Sequence, residues 1–205
     1  PALHLASRAT IAVWFKLRAR AGDRRQVLAA QAKGPGTAWS LFAISPRPAA
    51  GLNQQIGIEL ERDGKPCLQQ TKGPTITHGL WYHAAVTLGD GTLRVFVDGV
   101  KVLEQPEPGT LGALGPGQGA LVLGNDPAGM GPLNGALDEL VVVDRALTEA
   151  EVKNLYRQQL GEERQSLIRQ RFLAEFPNAP QLPHYVLPGN PERPFDLLAS
   201  LWIIG

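Results

Sequence analysis

Three carboxylates alternate along one short run: Glu59, Glu61 and Asp63. On an extended strand alternate side chains share a face. Two carboxyls about 5 Å apart on one face suit retaining hydrolysis of a glycosidic bond, one as nucleophile and the other as acid and then base. The same residues have a plainer reading. Ile56, Ile58 and Leu60 interleave with them, so Glu59 and Glu61 fit the outward side of a half-buried strand, and Asp63-Gly64 is a tight-turn pair. The plainer reading is preferred, since no tryptophan-rich stretch surrounds the run.

Other chemistry is thinner. His4, His78, His83 and His184 show no metal-ligand spacing, and His83, between Tyr82 and Ala84, fits a hydrogen-bonded core position. Cys67 is the one cysteine, which excludes an intrachain disulfide and a cysteine-based zinc cluster. No nucleophile elbow and no glycine-rich phosphate loop ahead of a helix occur. Arg18, Arg20, Arg24 and Arg25 form a local basic cluster. It reads as a solvated loop, with an acidic partner or lipid headgroup as the alternative. The formal net charge is only +1, so no global field favours nucleic acid.

These groups have to be positioned by short strands. In residues 9 to 17, Ile11, Val13 and Phe15 alternate with Thr10, Ala12 and Trp14, and β-branched and aromatic types are dense, which predicts a strand. Further strands are expected at 26–31, 39–44, in a hairpin over 54–70, and at 79–88, with a return through Leu93 to Val97 and again over 100–103. Gly89-Asp90-Gly91 and Asp98-Gly99 punctuate a three-strand meander. A Pro/Gly-rich loop over 105–119 leads to a short buried strand at 120–124. A loop over 125–133 then leads to a strand over 135–143. Thr148 is the expected N-cap of a helix running to Gln159, with Glu149 and Glu151 in its first turn. Trp14, Trp39 and Trp81 are expected to fill the core or cover its edge. Many short, regularly punctuated strands and one late helix indicate an all-β antiparallel sandwich.

The C-terminal part reads differently. Residues 162–175 have helical spacing, and 176–194 hold many prolines, which reads as an extended strap that packs on a partner or as a flexible linker. The resulting organisation is a sandwich over 1–160, a helical extension over 161–175 and a proline-rich strap with an apolar end over 176–205. Apolar anchors in the strap and end are candidate partner contacts: Leu182, Tyr185, Val186, Leu187, Phe195, Leu197, Leu198, Leu201, Trp202, Ile203 and Ile204. The last nine residues are too short to cross a bilayer. They read as a docking tail or the beginning of a span. The start at Pro1, without an initiator Met or a visible signal peptide, reads as a processed chain or part of a longer one.

Two stretches carry a family resemblance. The run Gly79-Leu-Trp-Tyr-His-Ala-Ala-Val-Thr87, followed by Gly91-Thr-Leu-Arg-Val-Phe-Val-Asp-Gly-Val-Lys-Val102, resembles the central hairpins of the laminin-G-like, concanavalin-A-like jelly-roll superfamily. The run Leu121-Val-Leu-Gly-Asn125, then Leu133 through Val152, is similar to its closing strands and helix, and Ile11 to Lys16 to its early tryptophan-bearing strand. The resemblance covers roughly residues 3 to 157. A strand or two usual in the family before the counterpart of Leu3 is missing. The implied fold is a concanavalin-A-like jelly roll with a C-terminal helix and a proline-rich tail.

The resemblance implies further expectations. Sandwich glucanases carry alternating carboxylates, to which Glu59, Glu61 and Asp63 correspond. Pentraxin-like and laminin-type relatives place calcium in the loop after the Leu-Val-Leu-Gly strand, which makes Asn125 and Asp126 the candidate calcium ligands. The next residues, 127 to 131, add only backbone carbonyls to the six to eight oxygens calcium wants. Asp90, Asp98 and Asp138 are other oxygen donors; Asp98 is explained by its turn, and Asp138 is expected to bond loop amides inside the sandwich. The superfold hosts many activities, so function is carried only as a class. The leading expectation is a non-catalytic interaction module, an accessory or structural subunit of an extracytoplasmic or membrane-associated assembly, with a protein partner gripped by the tail. The alternative is a carbohydrate-binding, lectin-like module with a glycan partner, and the remote one is a glycoside hydrolase.

Overall fold

The computed structural model describes residues 8–18, 25–33, 36–44, 55–62, 65–74, 76–106 and 119–160. Ten strands and one helix follow in order: β1 (Ala9–Leu17), β2 (Gln26–Lys33), β3 (Gly36–Ile44), β4 (Gln55–Arg62), β5 (Lys65–Gln70), β6 (Trp81–Gly89), β7 (Thr92–Val97), β8 (Val100–Pro106), β9 (Leu121–Leu123), β10 (Gly135–Val143) and α1 (Glu149–Gln159). They form two five-stranded sheets, β10-β1-β6-β7-β8 and β5-β4-β3-β2-β9. Every pairing is antiparallel. This is the expected antiparallel jelly-roll sandwich.

Strand alternation builds the core. Ile11, Val13, Phe15 and Leu17 of β1 face inward with Tyr82, Ala84, Val86 and Leu88 of β6. Leu41, Ile56, Ile58 and Leu60 meet them from the second sheet. Burying each such side chain contributes roughly 1.5–3 kcal/mol, so the apolar period of two decides which face of each strand turns inward. Trp39 lies in this core, its Nε1–H donating to Gln31 Oε1 at 2.9 Å.

The hairpins close as their turn residues require. Asp90 (φ 53°) and Gly91 (φ 68°) join β6 to β7, and Asp98 (φ 52°) and Gly99 (φ 78°) join β7 to β8. Two successive left-handed residues are what a twist-matched two-residue hairpin needs, and Asp-Gly supplies them at little cost.

Helix α1 starts as expected. Thr148 Oγ1 accepts from the Glu151 N–H, and Glu151 Oε2 accepts from the Thr148 N–H at 2.8 Å, a reciprocal capping box.

Three expectations need correction. The strand at 120–124 is not buried: β9 is the edge of its sheet, with neighbours on one side only, and Leu123 is 49% exposed. Asp138 does not sit inside the sandwich. It is exposed beside a register shift between β1 and β10, and its Oδ1 accepts the N–H of Glu139, whose φ is 47°. Asp98 is more than a turn residue: it is 2% exposed, and its carboxylate has a role described below. The helical extension and the proline-rich strap lie outside the described residues, as do all the partner contacts named for them, from Leu182 to Ile204.

Candidate binding surface

Helix α1 covers part of the outer face of the first sheet. Ala12, Ala85 and Phe96 are buried there beneath Leu147 and Val152. Tyr156 stacks on Trp14 with ring centroids 5.5 Å apart and lies 5.8 Å from the His83 ring, which is itself 5.4 Å from Trp14. The Trp14 Nε1–H donates to Gln159 Oε1 at 3.2 Å. His83 is fully buried, as its core reading requires. Asp98 completes the cluster: its Oδ1 accepts the His83 N–H at 2.7 Å, while the Asp98 N–H donates to the His83 carbonyl at 2.7 Å. An acid facing a histidine in hairpin register was the signal for this pair. It makes a dry, cross-braced layer, not an accessible site.

The opposite situation holds at the end of the sandwich where β1 stops and β2, β6 and β10 start. A chain of hydrogen bonds ties both sheets together there. The Gly79 N–H donates to the Leu17 carbonyl (2.7 Å), and the Arg18 N–H to the Asn134 carbonyl (2.8 Å). The Asn134 N–H donates in turn to Gln26 Oε1 (2.9 Å), and the Val27 N–H to the Gly131 carbonyl (2.9 Å). Gln26 is fully buried, so its amide is an internal staple between the sheets. Neither Gln26 nor Asn134 stood out in the sequence.

Asn125 and Asp126 sit in this rim, in the loop that crosses from β9 toward β10. Asn125 Oδ1 accepts two backbone N–H groups, those of Asp126 (2.9 Å) and Gly131 (3.0 Å). Asp126 Oδ1 accepts the Met130 N–H at 2.9 Å. Two donors already occupy the Asn125 carbonyl, so in this arrangement its oxygen acts as a clasp that shapes the loop. Among the described residues no group of three or more His, Cys, Asp or Glu side chains is arranged to hold a metal ion. Gly131 is required here, because a Cβ would lie 2.6 Å from a Val27 methyl.

At the sheet side of the rim stands Trp81, first residue of β6, paired in register with Lys16 of β1. The Lys16 ammonium lies over the indole, 5.1 Å from its centroid. Trp81 is half-buried, whereas Trp14, Phe15, Trp39, Phe42, Tyr82, Phe96 and Tyr156 are at most 2% exposed. It is therefore the one Phe, Tyr or Trp among the described residues with appreciable exposure. Arg18 and Asn134, both exposed, flank it along the same end.

The model of the Concanavalin A-like lectin/glucanases superfamily matches residues 1–153. The chain belongs to that superfamily. Solved structures agree on the superfamily's fold. A heptameric SAP-like pentraxin from Limulus polyphemus is 18% identical, with a TM-score of 0.59, over 74% of this chain and 70% of that one. The CBM40 of the Ruminococcus gnavus IT-sialidase, bound to α2,3-sialyllactose, is 14% identical, with a TM-score of 0.58, over 73% and 83%. Domain 4 of AbnA, a GH43 extracellular arabinanase from Geobacillus stearothermophilus in complex with arabinotriose, is 19% identical, with a TM-score of 0.56, over 76% and 70%. No curated protein sequence matches the chain.

Within the superfamily fold, the carboxylates considered for glucanase chemistry are placed as follows. Glu59 points from β4 away from the core and is ion-paired to Arg25 at 2.6 Å. The Arg25 guanidinium in turn lies 4.5 Å from the Phe42 ring centroid. Arg25 thus leaves the solvated basic cluster, in which Arg18 remains exposed. Asp63 and the Glu61 side chain lie outside the described residues, as do Arg20 and Arg24. No helix among the described residues is long and apolar enough to cross a membrane.

Proposed function

We propose that this chain is a non-catalytic, lectin-like carbohydrate-binding module that works outside the cytoplasm and takes its ligand at the rim around Trp81. One observation carries the reading. Trp81 is the accessible aromatic ring among the described residues, and it stands where the two sheets are laced together. A sugar ring has an apolar C–H face that packs against an indole, and hydroxyls that need donors and acceptors close by. The rim offers both, and its hydrogen-bonded lacing holds them in place before a ligand arrives. The complexes of the two bacterial neighbours, with sialyllactose and arabinotriose, lend the reading support from the fold.

The test is a broad glycan panel with wild type and Trp81→Ala. Binding that weakens at least about tenfold in Trp81→Ala, with an unchanged melting temperature, supports the reading. Wild-type binding to no member of the panel sinks it. Hydrolysis of a panel member, lost in Glu59→Gln, would replace it with a glycosidase. The accessory-subunit reading rests on residues 161–205. Deleting them tests it: lost assembly with an intact sandwich is the outcome it requires.

A further inference from the structure

We infer that the rim selects carboxylated saccharides over neutral ones, with Lys16 as the specificity-determining residue and Arg18 as its second cation. The inference rests on the carbohydrate-binding reading and narrows it. Lys16 and Trp81 are direct cross-strand partners, and the ammonium is held over the indole at 5.1 Å from its centroid. A ligand that seats against this indole therefore meets a positive charge already in position. A neutral sugar ring has to displace or desolvate that charge and returns only neutral hydroxyl acceptors. A carboxylate on the ring forms a charge-assisted hydrogen bond with it.

The neighbourhood favours the same sign. Two residues beyond Lys16, Arg18 is exposed, with its backbone fixed by the bond from its N–H to the Asn134 carbonyl. Around Lys16 and Arg18, the paired or hydrogen-bonded positions are Trp81, Ala136 and Asn134, none of them acidic. The first carboxylate met along β10 is Asp138, which pairs with Trp14 and has Oδ1 bonded to the Glu139 N–H. Arg25, by contrast, is already neutralised by Glu59. Among the described residues, Lys16 and Arg18 have no acidic ion-pair partner and lie beside the one aromatic ring with appreciable exposure.

The experiment compares trigalacturonic acid with its methyl ester, titrated calorimetrically into the full 205-residue chain. The two ligands share the sugar backbone and differ in the charge of the carboxyl groups and in the added ester methyls. The acid should bind about tenfold more tightly than the ester at low salt, and the gap should shrink as ionic strength rises to about 0.5 M. Lys16→Gln should bring the two affinities together, and Lys16→Arg should keep them apart. Equal affinities in wild type, or a preference that survives the Lys16→Gln/Arg18→Gln double variant, overturn the inference. If neutral glycans of the panel still bind through Trp81 in that case, the carbohydrate-binding reading stands without it. If nothing on the panel binds, both fall.

Discussion

The Tyr156 ring stacks on Trp14 with an interplanar angle of 20°, and this contact joins the only helix among the described residues to β1, an inner strand of the first sheet. Tyr156 also covers Gly99, where a Cβ would lie 3.1 Å from the ring. Truncating a buried aromatic of this size costs about 3–5 kcal/mol. Tyr156→Ala should lower the denaturation midpoint accordingly. Gly99→Ala combines an unfavourable φ with that close contact and should cost about 1–2 kcal/mol. Urea titration followed by tryptophan fluorescence reads both. A loss under about 1 kcal/mol for Tyr156→Ala would mean that α1 does not hold the sheet.

Gln26 should behave as a structural staple. Gln26→Leu keeps the volume but removes the acceptor for the Asn134 N–H. Leaving this part-buried donor without its acceptor should cost about 1 kcal/mol. Because the Asn134 carbonyl also receives the Arg18 N–H, the variant should weaken glycan binding beyond its effect on stability. Calorimetry at a temperature where the variant is fully folded separates the two effects.

Asn125→Ala removes the acceptor for two loop N–H groups and should cost about 1–2 kcal/mol, while Asn125→Asp retains an acceptor and should cost less. Since the oxygen is occupied by those donors, a chelator should leave the melting temperature of the wild type unchanged. A melt raised by several degrees in millimolar calcium would show that the loop opens to take a cation.

The helix cap sets an acid limit. Arg145, and then the Thr148 backbone and hydroxyl, hold the Glu151 carboxyl down at about 2, against an ordinary value of 4.5. The folded value lies below the unfolded one. The cap's contribution is therefore complete above pH 4.5 and is lost as pH falls from there toward 2. Helix stability in wild type should decline across that window, and Glu151→Gln should flatten this part of the profile. At the other extreme, the Lys101 ammonium is held above its ordinary 10.5 by Glu104 and then Glu149. Its contribution is full below 10.5 and fades as pH rises through the raised value. Circular dichroism against pH checks both.

Much of this architecture is legible in the sequence because its determinants are local. The β1 and β10 boundaries follow from alternation and flanking residues, the Asp-Gly hairpins from backbone sterics, and the start of α1 from the Thr148–Glu151 box. The site is less legible because it depends on what covers each face. Alternation puts Trp14, Trp81 and His83 on the same outer face, yet nothing local says that α1 will close over Trp14 and His83 and leave Trp81 half open. The identity of β9 as an edge strand is likewise a property of sheet order. For Arg25, a basic run suggested solvent, but the partner Glu59 is supplied by a strand more than thirty residues later.

The placement of β1 between β6 and β10 has a consequence for biogenesis. Among the described strands β1 is the earliest in sequence, and it finds its last partner only when residues 135–143 have been made. The bond from the Thr10 hydroxyl to the Arg145 carbonyl spans 135 positions of sequence. Closing so long a loop is slow, and until it closes Ile11, Val13 and Phe15 belong to a strand with a bare edge. A nascent or truncated chain that stops before Val143 therefore presents a sticky apolar ribbon. In the cell, this sandwich cannot be completed before residues 135–143 emerge, and protection from neighbouring chains matters most until then.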